Sequence, residues 1–257
     1  MTETPASPRP PQTAAFPDFA RPDAASALVS PWITALPEAR HAAADALLGE
    51  WERQSRPAAM LSLSVFLSAD GSHLLHYAQW TSDDAHREWA RTRRPAVAGR
   101  IDTALPGIRR PGLVRYVRTH SWVAPERAGR APALLTTPAF ATAGPGVQRA
   151  LADHLPDELA RAQVPGLLGA HLHLSRDGGR VVIFAEWADP SAWRAFTEGA
   201  VAARFGAAIA ATDGVTVTSA VPGAPEAAGA TQYTLHRSLV NVPSPGPAAH
   251  HAGRRLP

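Results

Sequence analysis

The sequence predicts an α+β protein: two ferredoxin-like β-α-β-β-α-β repeats packed sheet to sheet within one chain. Three observations carry this prediction. Residues 61–89 align without a gap on 168–196 at a constant offset of 107. Each copy contains an Asp-Gly turn between two runs of strand character, Asp70-Gly71 and Asp177-Gly178. Each second run ends in a tryptophan, Trp80 or Trp187, and passes straight into a helix start. Nine aligned positions are identical, and shared alanine-rich composition does not place two turns and two tryptophans in register.

Leu61, Leu63, Val65 and Leu67 alternate with Ser62, Ser64 and Phe66, which is the period of a half-buried strand. The Asp-Gly turn follows, because glycine tolerates positive φ, and the return strand runs from about His73 to Trp80 and from about Arg180 to Trp187. Thr81 or Ser82 caps the next helix in copy one, and Asp189 with Pro190 does so in copy two. An earlier helix is marked by Ala43, Leu47 and Trp51 in copy one, and by Val147, Leu151, Leu155 and Leu159 in copy two. Flanking strands at about 26–34 and 113–123, then at about 133–142 and 214–221 or 231–240, complete the units. One unit leaves a sheet face uncovered. Two close an α/β barrel with helices outside and a cavity between the sheets.

The organisation expected is an N-terminal disordered arm over 1–24, repeat one over 25–124, a linker over 125–132, repeat two over 133–240 and a disordered tail over 241–257. Composition narrows the chemistry. There is no cysteine and no lysine, so all 25 basic residues are arginine. Thiolate, Cys-ligated zinc, iron–sulfur, Schiff-base and P-loop chemistry are excluded. A net charge of +3 without long basic clusters predicts no nucleic-acid partner. Neither a secretory leader nor an apolar run of membrane-spanning length is present, so a cytoplasmic protein without a membrane partner is expected.

His76-Tyr77-Ala78-Gln79-Trp80 followed by TSDDAHREW, and more weakly Phe184-Ala185-Glu186-Trp187, resemble the antibiotic biosynthesis monooxygenase family over about residues 25–240. The family's members are dimeric α/β barrels, so this chain resembles an intramolecular dimer, and further homodimerisation is compatible with it. The resemblance implies a cofactor-independent oxidation, with no metal, of a phenolic or anthrone-type aromatic polyketide to a quinone by O₂, in antibiotic or pigment biosynthesis. The partners implied are a small aromatic substrate and O₂. Alternatives on the same barrel are a polyketide cyclase and a non-catalytic ligand-binding or stress-response protein. Haem degradation is disfavoured, because the position of that branch's haem-ligating histidine holds Ala90 or Thr197.

Carried over by position, the resemblance assigns catalytic roles to Trp80, to His76 in place of the family's asparagine, to His86 in place of its tyrosine, and to Arg100. The same positions in copy two are Ile183, Trp187, Trp193 and Ala207, which have lost most of the polar groups. Copy one is therefore expected to be the active copy and copy two a structural partner. His171 and His173 form an H-x-H pair without an identifiable third metal ligand, and are expected, with Ser62, Ser64 and Tyr77, to line the substrate cavity.

Overall fold

The computed structural model describes residues 12–54, 56–221, 223 and 231–241. Its elements are β1 (Gln12–Thr13), β2 (Ser26–Trp32), α1 (Ala39–Arg53), β3 (Met60–Ser68), β4 (Leu74–Trp80), α2 (Asp83–Thr92), α3 (Arg94–Ala104) and β5 (Val114–Val123) in the first half. The second half contains β6 (Leu134–Thr136), β7 (Ala139–Thr142), α4 (Pro145–Ala162), β8 (Leu167–Ser175), β9 (Arg180–Trp187), α5 (Pro190–Thr197), α6 (Ala200–Ala210), β10 (Val215–Thr218) and β11 (Gln232–Val240).

The two hairpins are superimposable in their local logic. Gly71 and Gly178 adopt φ of 76° and 79°, and the preceding aspartates accept from Ser72 N and Gly179 N at 3.0 Å. A Cβ on Gly178 would also meet Pro145 at 3.0–3.1 Å, so the turn both needs the left-handed region and packs against the start of α4. Ser82 and Asp189 are the N-caps, accepting from Ala85 N at 3.2 Å and Ala192 N at 2.9 Å. Each post-tryptophan helix is broken in two, as α2–α3 and α5–α6.

Copy one forms the sheet β3-β4-β2-β5 and copy two β8-β9-β6-β11. The last strand of each copy crosses to the other: β5 pairs with β8 and β11 with β3, so the antiparallel pairings close into a ring. The period of two then sorts the side chains. Leu63, Val65, Leu74, Ala78 and Trp80 face the helices of copy one, while Leu172, Val181, Ile183, Ala185 and Trp187 face those of copy two. Phe66, Leu75, Tyr77, Val182 and Phe184 point between the sheets. Each large apolar side chain buried in these layers contributes about 1.5–3 kcal/mol relative to exposure.

Two expectations are corrected. Residues 12–24 belong to the folded body: β1 pairs with β11, and Phe19 is 1% exposed in the inter-sheet core. That ring, with Phe66, Tyr77 and Phe184, fills the space expected to be a cavity. The stretch 125–132 carries a 3-10 turn (Pro125–Gly129) fastened to copy two through Arg127–Glu186 and Arg130–Asp189. The tail from 242, with His250 and His251, lies outside the described residues. Among the described residues no helix is long and apolar enough to cross a membrane.

Candidate functional site

In copy one, β4 turns His76 and Trp80 toward the helices, and α2 brings His86 and Trp89 over them. The His86 ring stands edge-on to Trp80 with centroids 5.0 Å apart, and Trp89 stacks on Trp51 at 4.6 Å. His76 meets the Trp32 ring edge-on at 6.3 Å. His76 keeps a partly exposed edge, but its Nε2 is sealed from solvent; that atom, His86 Nδ1 and Trp89 Nε1 have no hydrogen-bond partner. Burial lowers the pKa of His76 to about 3, with the charges of His86 and Arg94 adding to it. Burial likewise lowers His86 to about 4, with Arg115 adding. Both rings are neutral at neutral pH and are weak proton acceptors, with little driving force to take a phenolic proton.

Arg100 is not part of this group. Its Nε donates to Glu50 Oε2 at 2.7 Å, Arg53 holds the other carboxylate oxygen, and the Arg100 side chain is 52% exposed. The guanidinium whose charge reaches both histidines is that of Arg94, at the start of α3. The pair Arg93-Arg94 before Pro95 was its only trace in the sequence.

Ser62, Ser64, Tyr77, His171 and His173 all project between the sheets, as the strand alternation requires, but into packed core. Ser62 Oγ donates to Gln79 Oε1 at 2.7 Å, Ser64 shares a hydrogen bond with Ser238 at 2.7 Å, and Tyr77 Oη lies 3.3 Å from His173 Nε2. Burial pushes the Tyr77 phenol up and pulls His173 down to about 3. His171 bridges Ser121 Oγ (2.9 Å) and Glu186 Oε2 (3.2 Å), and Arg127 Nη2 donates to Glu186 Oε1 at 3.1 Å. Burial opposes ionisation of Glu186, yet the hydrogen bonds from His171 and Arg127 outweigh it and hold the carboxyl below its usual range. Sequence reasoning missed Glu186, Arg127 and Phe19, because their partners are remote in the chain. Among the described residues no cluster of three or more His, Asp or Glu side chains is arranged to hold a metal.

Copy two holds open volume among the described residues. A cavity of about 600 Å³ lies between its sheet and helices, walled by Trp187, Trp193, Phe196, Phe205, Leu159 and Ile183. A second, of about 350 Å³, adjoins it through Phe140, Phe205, Gly206 and Ile209. Three of the positions matching the copy-one candidates, Ile183, Trp187 and Trp193, thus border space. Trp51 and Trp89, stacked in the helix layer of copy one, are matched in the helix patterns by the smaller Leu159 and Phe196, while Trp193 stands where copy one has His86. Thr136, Thr197 and Gln232 are polar residues lining the first and Thr216 lines the second, and no Asp, Glu, His or Arg stands among the described lining residues of either cavity. A cavity so lined suits a largely apolar molecule with a few polar atoms.

Residues 138–208 match the family model described as antibiotic biosynthesis monooxygenase. The match falls wholly in copy two, the copy with the cavity, whereas the sequence motif is stronger in copy one. Among solved structures, an anthrone oxidase-like protein is 18% identical, with 84% of this chain and 92% of that chain covered and a TM-score of 0.60. A protein of Fusobacterium nucleatum with a monooxygenase designation is 7% identical, covering 84% of this chain and 95% of its own, with a TM-score of 0.54. A similarly designated protein of Lactobacillus acidophilus is 9% identical, with coverage of 84% and 96% and a TM-score of 0.51. At these identities the likeness is one of fold. No curated protein sequence matches the chain.

Proposed function

We propose, with an antibiotic biosynthesis monooxygenase domain at residues 138–208 as the premise, that this chain is a monooxygenase-type enzyme. It oxidises a flat phenolic or anthrone-type aromatic with O₂ in the cavity of copy two. The observation that carries this reading is the cavity of about 600 Å³, walled by Trp187, Trp193, Phe196 and Phe205. In the reaction a methylene carbon loses two hydrogens and gains one oxygen atom of O₂, while the second oxygen atom leaves as water. The substrate supplies the electrons, so no cofactor is called on. Because the described walls hold no titratable group, the substrate's own acidity provides the anion, and Thr136, Thr197 and Gln232 are the groups available to hydrogen-bond its oxygen. The apolar walls exclude water from the reacting anion.

The test is oxygen uptake with anthrone, comparing the native chain with Gly206→Phe. Gly206 lies on α6 at the border of both cavities, and a Cβ there meets no atom within 4 Å. Uptake of one O₂ per quinone formed, cut at least about tenfold by Gly206→Phe, is expected. A cyclised, unoxidised product formed without oxygen from a polyketide substrate would replace this reading with the cyclase one, and unchanged oxidation rates would favour a binding protein.

A second reading rests on the unpaired nitrogens of His76, His86 and Trp89 beside Trp80. It puts the chemistry in copy one, with the neutral imidazoles as hydrogen-bonding groups and Arg94, rather than Arg100, as the nearby cation. On that reading His76→Ala lowers turnover and Gly206→Phe does not.

A further inference from the structure

We infer that the space between the sheets is a second ligand site, occupied in this structure by the chain's own Phe19. Its natural occupant by chemistry is an aromatic ring joined through a two-carbon link to an acylated nitrogen.

The slot is built for a ring. Phe19 lies nearly parallel to His171 (25°, 5.2 Å) and to Phe184 (18°, 5.3 Å), and Tyr77 tilts against it at 4.9 Å. Around this ring the polar groups are paired within the body of the protein: His171 with Ser121 and Glu186, and His173 with Tyr77. Gln79 is different. Its Oε1 accepts from Ser62, but its buried Nε2 donates at 2.8 Å to the backbone oxygen of Asp18, on the segment that carries the ring. An occupant that replaced the segment must therefore bring both a ring and a carbonyl oxygen, because an unpaired buried amide is costly. The covalent path from the Asp18 carbonyl through the Phe19 nitrogen, Cα and Cβ to the phenyl ring is an N-acyl phenylethylamine, which defines the ligand class.

Besides the packing of Phe16 and Phe19 on Phe66, the segment has few hydrogen bonds to the body. Between the two-residue pairing of β1 with β11 and the start of β2 at Ser26, its hydrogen bonds from Ala15, Ala20 and Arg21 stay within the segment. Gln79 and the Arg176 bond to Ala25 O hold it to the body. An occupant must therefore displace the ring contacts of Phe19 together with these two hydrogen bonds.

The experiment uses the full chain carrying Gly206→Phe and Leu159→Trp, two rings placed at the border and wall of the copy-two cavity to block it, with N-(2-phenylethyl)acetamide as the probe. Hydrogen exchange of the amides of Ala20 and Arg21 should rise saturably with probe, at least about threefold. Ethylbenzene, which lacks the carbonyl, should be at least about tenfold weaker. Exchange that does not respond at millimolar probe overturns the inference. A Phe19→Ala chain, which vacates the ring slot, supplies the second measurement by calorimetry. Preference for the acetamide over ethylbenzene of about tenfold or more, lost in Gln79→Leu, supports the site. Equal affinity for the two probes means only that a void has been filled, and overturns it. Because the copy-two cavity is blocked throughout, these outcomes are independent of whether oxidation occurs there.

Discussion

Trp187 Nε1 donates to Thr136 Oγ1 at 2.9 Å, joining the end of β9 to β6 at the wall of the large cavity. The hydrogen bond fixes the indole plane that forms one face of the pocket. Trp187→Phe should keep the apolar wall but lose the bond, and Thr136→Val should leave the indole N–H unpaired. A double-mutant cycle by chemical denaturation should give a coupling of about 0.5–1.5 kcal/mol. Additive effects would show that the bond is not formed in solution.

The asymmetry between the copies is a matter of volume and can be transplanted. Leu159→Trp puts into copy two the kind of ring that Trp51 supplies in copy one. Stability should change by less than about 1.5 kcal/mol, because the new ring enters existing space. Affinity for anthrone should fall at least about tenfold, measured by fluorescence titration. Retained affinity would place binding elsewhere.

Acid should destabilise the fold through its buried histidines. His76 and His173 both have folded pKa values of about 3, chiefly because burial penalises their charged forms. Unfolded, they titrate near 6.5. The unfolded chain therefore binds more protons as pH falls below about 6.5, and their stabilising effect is lost progressively from there toward pH 3. Each contributes a loss of about 1.6 kcal/mol between pH 6.5 and 5. Urea denaturation of His76→Gln at those two pH values should show a loss smaller by about that amount than in the native chain.

Gly169 admits the Glu186–His171 pair. A Cβ there would lie 2.6 Å from Glu186 Oε2 and 2.9 Å from His171 Nε2. Gly169→Ala should therefore displace a buried, charge-assisted network and cost about 2–4 kcal/mol, read as a fall in Tm. Arg127→Met, which removes the partner at the edge of the same network, should cost somewhat less, since Arg127 retains solvent access. Equal stability of Gly169→Ala and the native chain would mean that the pair repacks freely.

The tandem repeat, the Asp-Gly hairpins and the helix caps were legible because each is written in neighbouring residues: a period of two, a turn needing positive φ, and a cap three residues before its N–H donor. Ser82 and Asp189 illustrate this. Strand alternation put His76 and Trp80 on one face for the same reason, but the structure sets Ser62, Ser64 and Tyr77 on the opposite face, between the sheets, so the expected catalytic and substrate-binding residues do not share one pocket. What those faces meet was not legible. Arg100 pairs with Glu50, fifty positions away, and Arg94 takes the place beside the histidines, because helix–helix packing decides which arginine turns inward.

The sequence by itself determined the elements, their duplication and the sorting of side chains to the two faces of each sheet, since short-range sterics and periodicity control all three. Tertiary structure alone decided where empty space remains. Phe19 reaches back from the N-terminal segment to fill the volume between the sheets, while the helix side of copy two keeps a cavity of about 600 Å³. A cavity is the difference between the volume a backbone encloses and the volume that side chains from distant parts of the chain supply, so no local pattern specifies it.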